Sequence, residues 1–230
     1  MLIRNKEVQQ IAKTVMTEIS NKIEVGMKEY EIVELGESLL KENGINKFWY
    51  YNIGAFVFVG ERTTISISGK EYKASDLAIK ENDIITIDLS PEKDGFWGDY
   101  ARTIVVQDRK VIRESFDSNS ELGQGLNIEV QLHKYLAEIV NESMTFEELY
   151  CIMNEKILQL GYENLDFAKN LGHSIELHKE NRKYIEKSNK MKLREVNCFT
   201  FEPHIKKQNG KYGYKMENIY YFDNGKIIEL

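Results

Sequence analysis

Two aspartates lie on neighbouring strand-like runs, at a spacing that could bring both carboxylates to one site. Asp88 lies near the end of a β-branched run, Asp99 lies in the next run, and the turn-like segment 92–95 separates them. A hairpin turn centred on Lys93-Asp94 places Asp88 directly opposite Asp99. A turn centred on Asp94-Gly95 places them diagonally, still on one face of the hairpin. Either register predicts two carboxylates that face the same way.

Two glutamates repeat this arrangement near the C-terminal end of the sequence. The dipeptide Asn209-Gly210 lies midway between Glu202 and Glu217 and is a strong signal for a two-residue hairpin turn. Such a turn places Glu202 opposite Glu217, and Pro203 allows a bulge to shift the register locally. The second hairpin therefore offers two more carboxylates.

Carboxylates grouped in this way need a compensating positive charge. Like charges destabilise a strand pair, and an ionised carboxylate is costly to bury without a partner. For one isolated hairpin, the simpler interpretation is a solvated strand face or ion pairs with nearby lysines and arginines. Two such hairpins, together with His173 as the source of one imidazole, favour a divalent metal site.

The remaining sequence predicts two similar structural units that would position these side chains. Apolar residues at helical spacing predict helices over 7–24, 29–43, 126–141 and 145–160, and strand-like runs follow each helix pair. The pattern from Met27 to Gly44 recurs 117 positions later, from Met144 to Gly161. We interpret this as a duplicated helix-plus-sheet unit within one domain, 1–230, whose halves are roughly 1–115 and 116–230. Chance similarity between two amphipathic helices is the alternative.

Composition narrows the class of protein. The 230 residues are 42% hydrophobic, which is enough for a sizeable core, and the net charge of -6 gives no basic field for nucleic acid. The N-terminus lacks the apolar segment of a signal peptide, and no apolar run approaches the roughly 18 residues of a membrane span. We therefore expect a soluble cytoplasmic protein that binds neither nucleic acid nor membrane.

The motifs around these residues resemble the pita-bread superfamily, which includes methionine aminopeptidase, Xaa-Pro aminopeptidase, prolidase and creatinase. The matching stretches are Ile87-Asp-Leu89, Asp99-Tyr-Ala-Arg-Thr-Ile104, Gly172-His-Ser-Ile175, Phe199-Thr-Phe-Glu-Pro203 and Met216-Glu-Asn218. They occur in the order of the family's Asp, Asp, His, Glu, Glu ligand series. The resemblance implies an α+β pita-bread fold, with two related halves of helices and antiparallel sheet around a curved sheet.

The resemblance also implies a role for each ligand. Asp99 and Glu217 would bridge two divalent metal ions, Asp88 would complete one site, and His173 with Glu202 would complete the other. Glu202 would also accept and donate the catalytic proton. Manganese, cobalt, iron and zinc all suit such a donor set, and we favour manganese.

Histidines are where the sequence departs from the family pattern. Relatives carry a substrate-facing histidine downstream of the ligand histidine, and His178 resembles it at a shorter spacing, which implies a catalytic and substrate-contacting role. Relatives also carry a histidine upstream, whereas residues 1–131 of this chain contain none. His204, which follows the Glu202-Pro203 pair, is a candidate to replace it in substrate binding.

Three functions fit this resemblance. The first is a two-metal peptidase of the Xaa-Pro or methionine aminopeptidase type, which removes an N-terminal residue or cleaves a dipeptide. The segments around Arg62 and Glu202-Pro203 favour the Xaa-Pro type. The alternatives are a pita-bread module that binds peptides or proteins without catalysis, and a creatinase-like hydrolase of a small molecule. A homodimer is left open.

Overall fold

Four α-helices form in two pairs, as the sequence predicts. The computed structural model describes residues 2–112 and 120–230. The helices are α1 (Leu2–Lys22), α2 (Glu29–Glu42), α3 (Glu121–Ile139) and α4 (Phe146–Gln159). Both α1 and α3 begin about one turn or more before the predicted positions. The Ser120 hydroxyl accepts a hydrogen bond from the Gly123 N–H and so caps the first turn of α3.

Helices α2 and α4 have the same length and begin 117 positions apart, the offset of the repeated sequence pattern. Glu31 accepts the Lys28 backbone N–H at 2.8 Å, and Glu148 accepts the Thr145 N–H at 2.7 Å, so equivalent glutamates cap both helices. A glycine in the left-handed region follows each helix. The predicted boundary between the halves, 115/116, lies outside the described residues.

Antiparallel strands follow each helix pair. The strands of the first half are β1 (Lys47–Phe48), β2 (Ala55–Val59), β3 (Asp83–Leu89), β4 (Pro91–Lys93), β5 (Phe96–Trp97), β6 (Tyr100–Gln107) and β7 (Lys110–Ile112). Those of the second half are β8 (Tyr162–Asn164), β9 (Phe199–Phe201), β10 (His204–Lys207), β11 (Gly213–Lys215), β12 (Asn218–Asp223) and β13 (Lys226–Glu229). Their orders are β2-β3-β6-β7, β1-β4-β5, β11-β10-β8 and β13-β12-β9. The expected α+β class is thus confirmed.

The first hairpin adopts the diagonal register of the two that the sequence allows. Asp88 on β3 lies opposite Ala101 on β6, and Asp99 lies just before β6. The turn residues Asp94 and Gly95 have φ of 53° and 79°. Positive φ at both central positions is the geometry that matches the twist of a two-residue hairpin, and an Asp-Gly pair favours it.

The second hairpin adopts the register predicted from Asn209-Gly210. His204 on β10 lies opposite Lys215 on β11, and β9 pairs with β12 in the continuation of the same register. Glu202 and Glu217 lie in the interruption between these two pairings. The chain therefore leaves regular pairing at these two carboxylates.

The described residues form three hydrophobic clusters. The first joins α1 and α2 to the β2-β3-β6 face, and the second joins α3 and α4 to strands of the second half and to Ile84 and Val105 on β3 and β6. The third contains both tryptophans. The halves are joined directly, because the Glu217 N–H donates to the Ala101 carbonyl at 3.0 Å. Among the described helices, none is long and apolar enough to cross a membrane.

Candidate metal centre

The structure brings all five predicted ligands together. Carboxylate oxygens of Asp88, Asp99 and Glu217 lie within 4.8 Å of one another. The His173 Nε2 atom lies 3.5 Å from Asp99 Oδ2 and 3.5 Å from Glu202 Oε1. Residues that are up to 129 positions apart in sequence therefore face one point, at the junction of the two halves.

The first helix holds Asp99 in place. Gln9, which is buried on α1, donates from Nε2 to the Asp99 carbonyl at 2.7 Å and accepts the Asp99 N–H at 2.9 Å. A Cβ at Gly98 would lie 2.8 Å from Gln9 Oε1, so glycine is needed for this close approach. Sequence reasoning missed Gln9. The sequence feature that could have identified it is a pair of polar residues, Asn5 and Gln9, on the apolar stripe of a helix.

Backbone geometry orients the imidazole of His173. Gly172 has a φ of +138°, and a Cβ there would lie 2.3 Å from the Thr200 carbonyl oxygen. The His173 backbone N–H donates to the Thr200 hydroxyl at 2.9 Å. Its ring Nδ1 lies 3.1 Å from the Ser174 carbonyl, which can only accept, so Nδ1 carries the proton. The lone pair of Nε2 is therefore left to face the carboxylates.

Burial sets unusual ionisation properties for two of the carboxylates. Glu217 is fully buried, and neither of its oxygens accepts a hydrogen bond from the described residues. Burial raises the pKa of Glu217 well above its usual value, and the nearby Asp99 and Glu202 raise it further. Burial also raises the pKa of Asp99 to about 7. Buried carboxylate oxygens that lack donors, beside an available imidazole, fit a divalent cation.

Glu202 behaves differently because it has a positive neighbour. Burial alone would raise the pKa of Glu202, but the ammonium of Lys215 lowers it below its usual value. The Thr200 hydroxyl donates to Glu202 Oε1 at 3.1 Å. Glu202 is therefore held as an oriented carboxylate at the edge of the cluster.

Lys215 is a member of the cluster that sequence reasoning did not identify. Its Nζ lies 2.5 Å from Asp88 Oδ2, 3.2 Å from Glu202 Oε2 and 3.9 Å from Glu217 Oε2. Burial alone would lower the pKa of Lys215, but these carboxylates hold it well above its usual value. The sequence feature that could have identified it is its position two residues before Glu217 on one strand-like run, because alternate residues of a strand share a face.

A cavity of about 320 Å³ opens onto the cluster. Its aromatic lining residues are Trp49, Tyr50, Phe56, Phe58, Phe167 and Tyr184. His204 lines it too, and its ring Nε2 lies 2.7 Å from the Thr63 carbonyl, which leaves Nδ1 without a proton. Burial lowers the pKa of His204 to about 4, so its imidazole is neutral at pH 7.

Two other residues considered from the sequence lie away from this cavity. His178 is exposed and is not among the described residues that line the cavity, so its catalytic and substrate roles gain no support from the geometry. The same segment contributes Arg182 to the lining instead. Arg62 donates to both carboxylate oxygens of the buried Glu29, at 2.8 and 3.1 Å. Its contacts are therefore structural.

The two tryptophans of the chain flank His173. The ring centroids of Trp49 and Trp97 lie 5.7 and 5.8 Å from that of His173 and 4.4 Å from each other. The Trp49 indole N–H donates to the Gly98 carbonyl at 3.0 Å, and that of Trp97 donates to the Glu176 carbonyl at 2.8 Å. Both rings are thereby fixed against the imidazole.

This fold and this order of site residues define the pita-bread class. The chain belongs to metallopeptidase family M24, whose sequence profile matches residues 4–224. The resemblance stated from the motifs is thus confirmed.

Curated relatives and solved structures agree with this assignment. The Xaa-Pro dipeptidase of Pyrococcus furiosus is 29% identical over 193 residues, which cover 84% of this chain and 50% of that protein. This chain therefore spans about half the length of the curated relatives it matches. The X-Pro aminopeptidase of Thermotoga maritima superposes with a TM-score of 0.80 at 23% identity, over 99% of this chain and 60% of that one. The methionine aminopeptidase of Thermotoga maritima superposes with a TM-score of 0.73 at 14% identity, over 97% of this chain and 93% of that one. At these identities the structures show the shared fold, which confirms the predicted fold class.

Proposed function

We propose that this chain is a peptidase that uses two divalent metal ions to cleave the bond after the N-terminal residue of a dipeptide or short peptide. The main support for this proposal is that five potential ligands converge, namely Asp88, Asp99, His173, Glu202 and Glu217. Within this cluster, the buried Glu217 oxygens accept no hydrogen bond from described residues. As proposed ligands, Asp99 and Glu217 would be shared by both ions. Manganese is the proposed metal.

Bound ions would lower the pKa of water, polarise the scissile carbonyl and stabilise the oxyanion. Glu202 would accept the proton of that water and return it to the leaving amine. Its lowered pKa keeps it ionised and able to accept a proton, and the Thr200 hydroxyl holds one of its oxygens. This assignment makes Glu202 the acid–base residue of the reaction.

The cavity supports a small substrate with a free carboxylate. Its volume of about 320 Å³ is at the lower end of the range for ligand sites, which suits a dipeptide. The Arg182 guanidinium stacks over Trp49 at 4.8 Å and lies 5.4 Å from the Tyr184 ring centroid. A stacked, planar cation is preorganised to bind a carboxylate through two hydrogen bonds. The unprotonated Nδ1 of His204 would accept a hydrogen bond from a substrate N–H.

One observation favours the non-catalytic peptide-binding alternative. The ammonium of Lys215 already compensates part of the carboxylate charge, as expected of a site that holds its fold without metal. The buried oxygens of Glu217 argue against this alternative, because an ammonium 3.9 Å away leaves their hydrogen-bonding capacity unused.

One experiment separates the two functions. Bound metal is measured by elemental analysis, and hydrolysis of Ala-Pro, Met-Ala and longer Xaa-Pro peptides is measured with added Mn²⁺ or Co²⁺. Glu202→Gln should lower kcat by at least about 100-fold, as expected for loss of a general acid–base residue. Glu186→Gln, which changes another carboxylate of the cavity lining, is the matched control. Protein that neither binds metal nor hydrolyses these peptides would refute the peptidase and leave the binding module.

A further inference from the structure

The side-chain ammonium of Lys215 lies inside the ligand cluster. It contacts Asp88 most closely, at 2.5 Å, then Glu202 at 3.2 Å and Glu217 at 3.9 Å. The Lys215 side chain is only 18% exposed, so water screens these contacts poorly. Three of the five proposed metal ligands therefore share one positive charge supplied by the chain itself.

Glu202 divides the cluster into two ends. Its Oε1 atom lies 3.5 Å from the Nε2 of His173, which lies equally close to Asp99. Its Oε2 atom instead lies 3.2 Å from the ammonium of Lys215, which also holds Asp88. We call these the imidazole end (His173, Asp99) and the ammonium end (Lys215, Asp88). Glu217 is buried within reach of both.

The two ends do not present the same surface to a cation. At the imidazole end, the Nε2 atom of His173 and carboxylate oxygens are available as ligands. At the ammonium end, a carboxylate oxygen of Asp88 already accepts a charged hydrogen bond from Lys215. A divalent ion there would have to replace that bond and would meet repulsion from a positive charge a few ångströms away. Lysine is a point charge on a flexible stem, so it can move aside.

We propose that Lys215 is an internal cation that competes with the second metal ion for Asp88, so that the centre loads in two unequal steps. This inference rests on the metal binding of the proposed function and goes beyond it. The first ion binds at the imidazole end. The second binds only as the ammonium leaves Asp88, and we expect its affinity to be at least about tenfold lower, because charges at this spacing interact strongly even at high effective dielectric.

Replacement of the ammonium by an apolar group of similar length tests this competition. Metal-free wild-type protein, Lys215→Met and Lys206→Met are each titrated with Mn²⁺ by calorimetry. Lys206 is the matched control, because it lies on the neighbouring β10 and pairs at 3.1 Å with Glu163, outside the cluster. We expect Lys215→Met to strengthen the second binding step at least about tenfold, and Lys206→Met to change neither step.

The outcomes distinguish the inference from the function on which it rests. If Lys215→Met leaves the second step as weak as in the wild type, competition by Lys215 is refuted while metal binding stands. If none of the three proteins binds Mn²⁺, the proposed function fails, and the inference fails with it. Melting temperature supplies a second readout, since metal-free Lys215→Met loses a compensating charge. Its stabilisation by saturating Mn²⁺ should exceed that of the wild type.

A measurement on the wild type keeps the proposal testable if Lys215→Met does not fold. Lysine side chains are labelled with ¹⁵N, and the ammonium resonance of Lys215 is assigned by comparison with Lys215→Arg. Zn²⁺, which is diamagnetic, is then added to the metal-free protein. We expect the resonance to remain through the first equivalent and to shift or broaden during the second. A resonance that is unchanged after two bound equivalents would overturn the proposal.

Discussion

The contact between Gln9 and Asp99 gives the sharpest prediction of how distant packing supports the centre. Gln9→Met keeps the length and most of the volume of the side chain but removes both hydrogen bonds to the Asp99 backbone, at 2.7 and 2.9 Å. The Asp99 N–H and C=O would then be buried without partners. Each of the two orphaned groups costs about 1–3 kcal/mol, so we expect a loss of about 2–6 kcal/mol in unfolding free energy. For a chain of this size, that lowers Tm by roughly 4–24 °C.

The same change should weaken metal binding. Asp99 is a proposed bridging ligand, and loss of a group that orients a ligand typically weakens metal affinity about 10–100-fold. Thermal unfolding and calorimetric Mn²⁺ titration measure the two effects separately. Gln10→Met is the control, because Gln10 is the exposed neighbour on the same helix. If both variants lose equal stability and bind Mn²⁺ equally well, the argument that α1 holds Asp99 is refuted.

Three further predictions follow from single side chains. Glu129, buried on α3, accepts no hydrogen bond from described residues, and burial raises its pKa well above the usual value. The stability that Glu129 contributes is therefore complete below the unfolded pKa and is lost as pH rises. The Tm of Glu129→Gln should accordingly rise relative to that of the wild type with increasing pH, by about 2–4 °C for each kcal/mol that the wild type loses. An equal Tm difference between the two proteins at pH 4.5 and at pH 8 would contradict this. Gly172→Ala should cost at least about 2 kcal/mol and weaken Mn²⁺ binding, because a Cβ would collide with the Thr200 carbonyl; unchanged stability would exclude this strain. Arg182→Met should raise KM for dipeptides about tenfold without lowering kcat and should leave dipeptide amides unaffected, which a pH-stat or amine assay can measure.

The sequence predicts the hairpins and their carboxylates well because the signals are local. Asp94-Gly95 and Asn209-Gly210 each specify a turn, and the period of two along a strand then fixes which residues share a face. The first turn left two registers open because Lys93-Asp94 competes with Asp94-Gly95. The positive φ values observed at both Asp94 and Gly95 decide between the two registers.

Contacts between distant segments could not be predicted in this way. The hold of Gln9 on Asp99 depends on how α1 docks on the segment between β5 and β6, and no local pattern encodes that docking. The entry of Lys215 into the cluster depends on the junction of the two halves. His178 shows the reverse case: its motif resembles a substrate contact, but the loop conformation leaves it exposed and turns Arg182 to the cavity.

The pair of indoles beside His173 makes the centre optically visible. Because Trp49 and Trp97 are the only two tryptophans of the chain, its tryptophan fluorescence originates entirely from rings whose centroids lie within 5.8 Å of the imidazole centroid. Paramagnetic Mn²⁺ or Co²⁺ bound there should quench this emission, whereas Zn²⁺ should change mainly its wavelength. The protein thus carries an unlabelled spectroscopic probe, with which the kinetics of ion uptake and release can be followed by stopped flow.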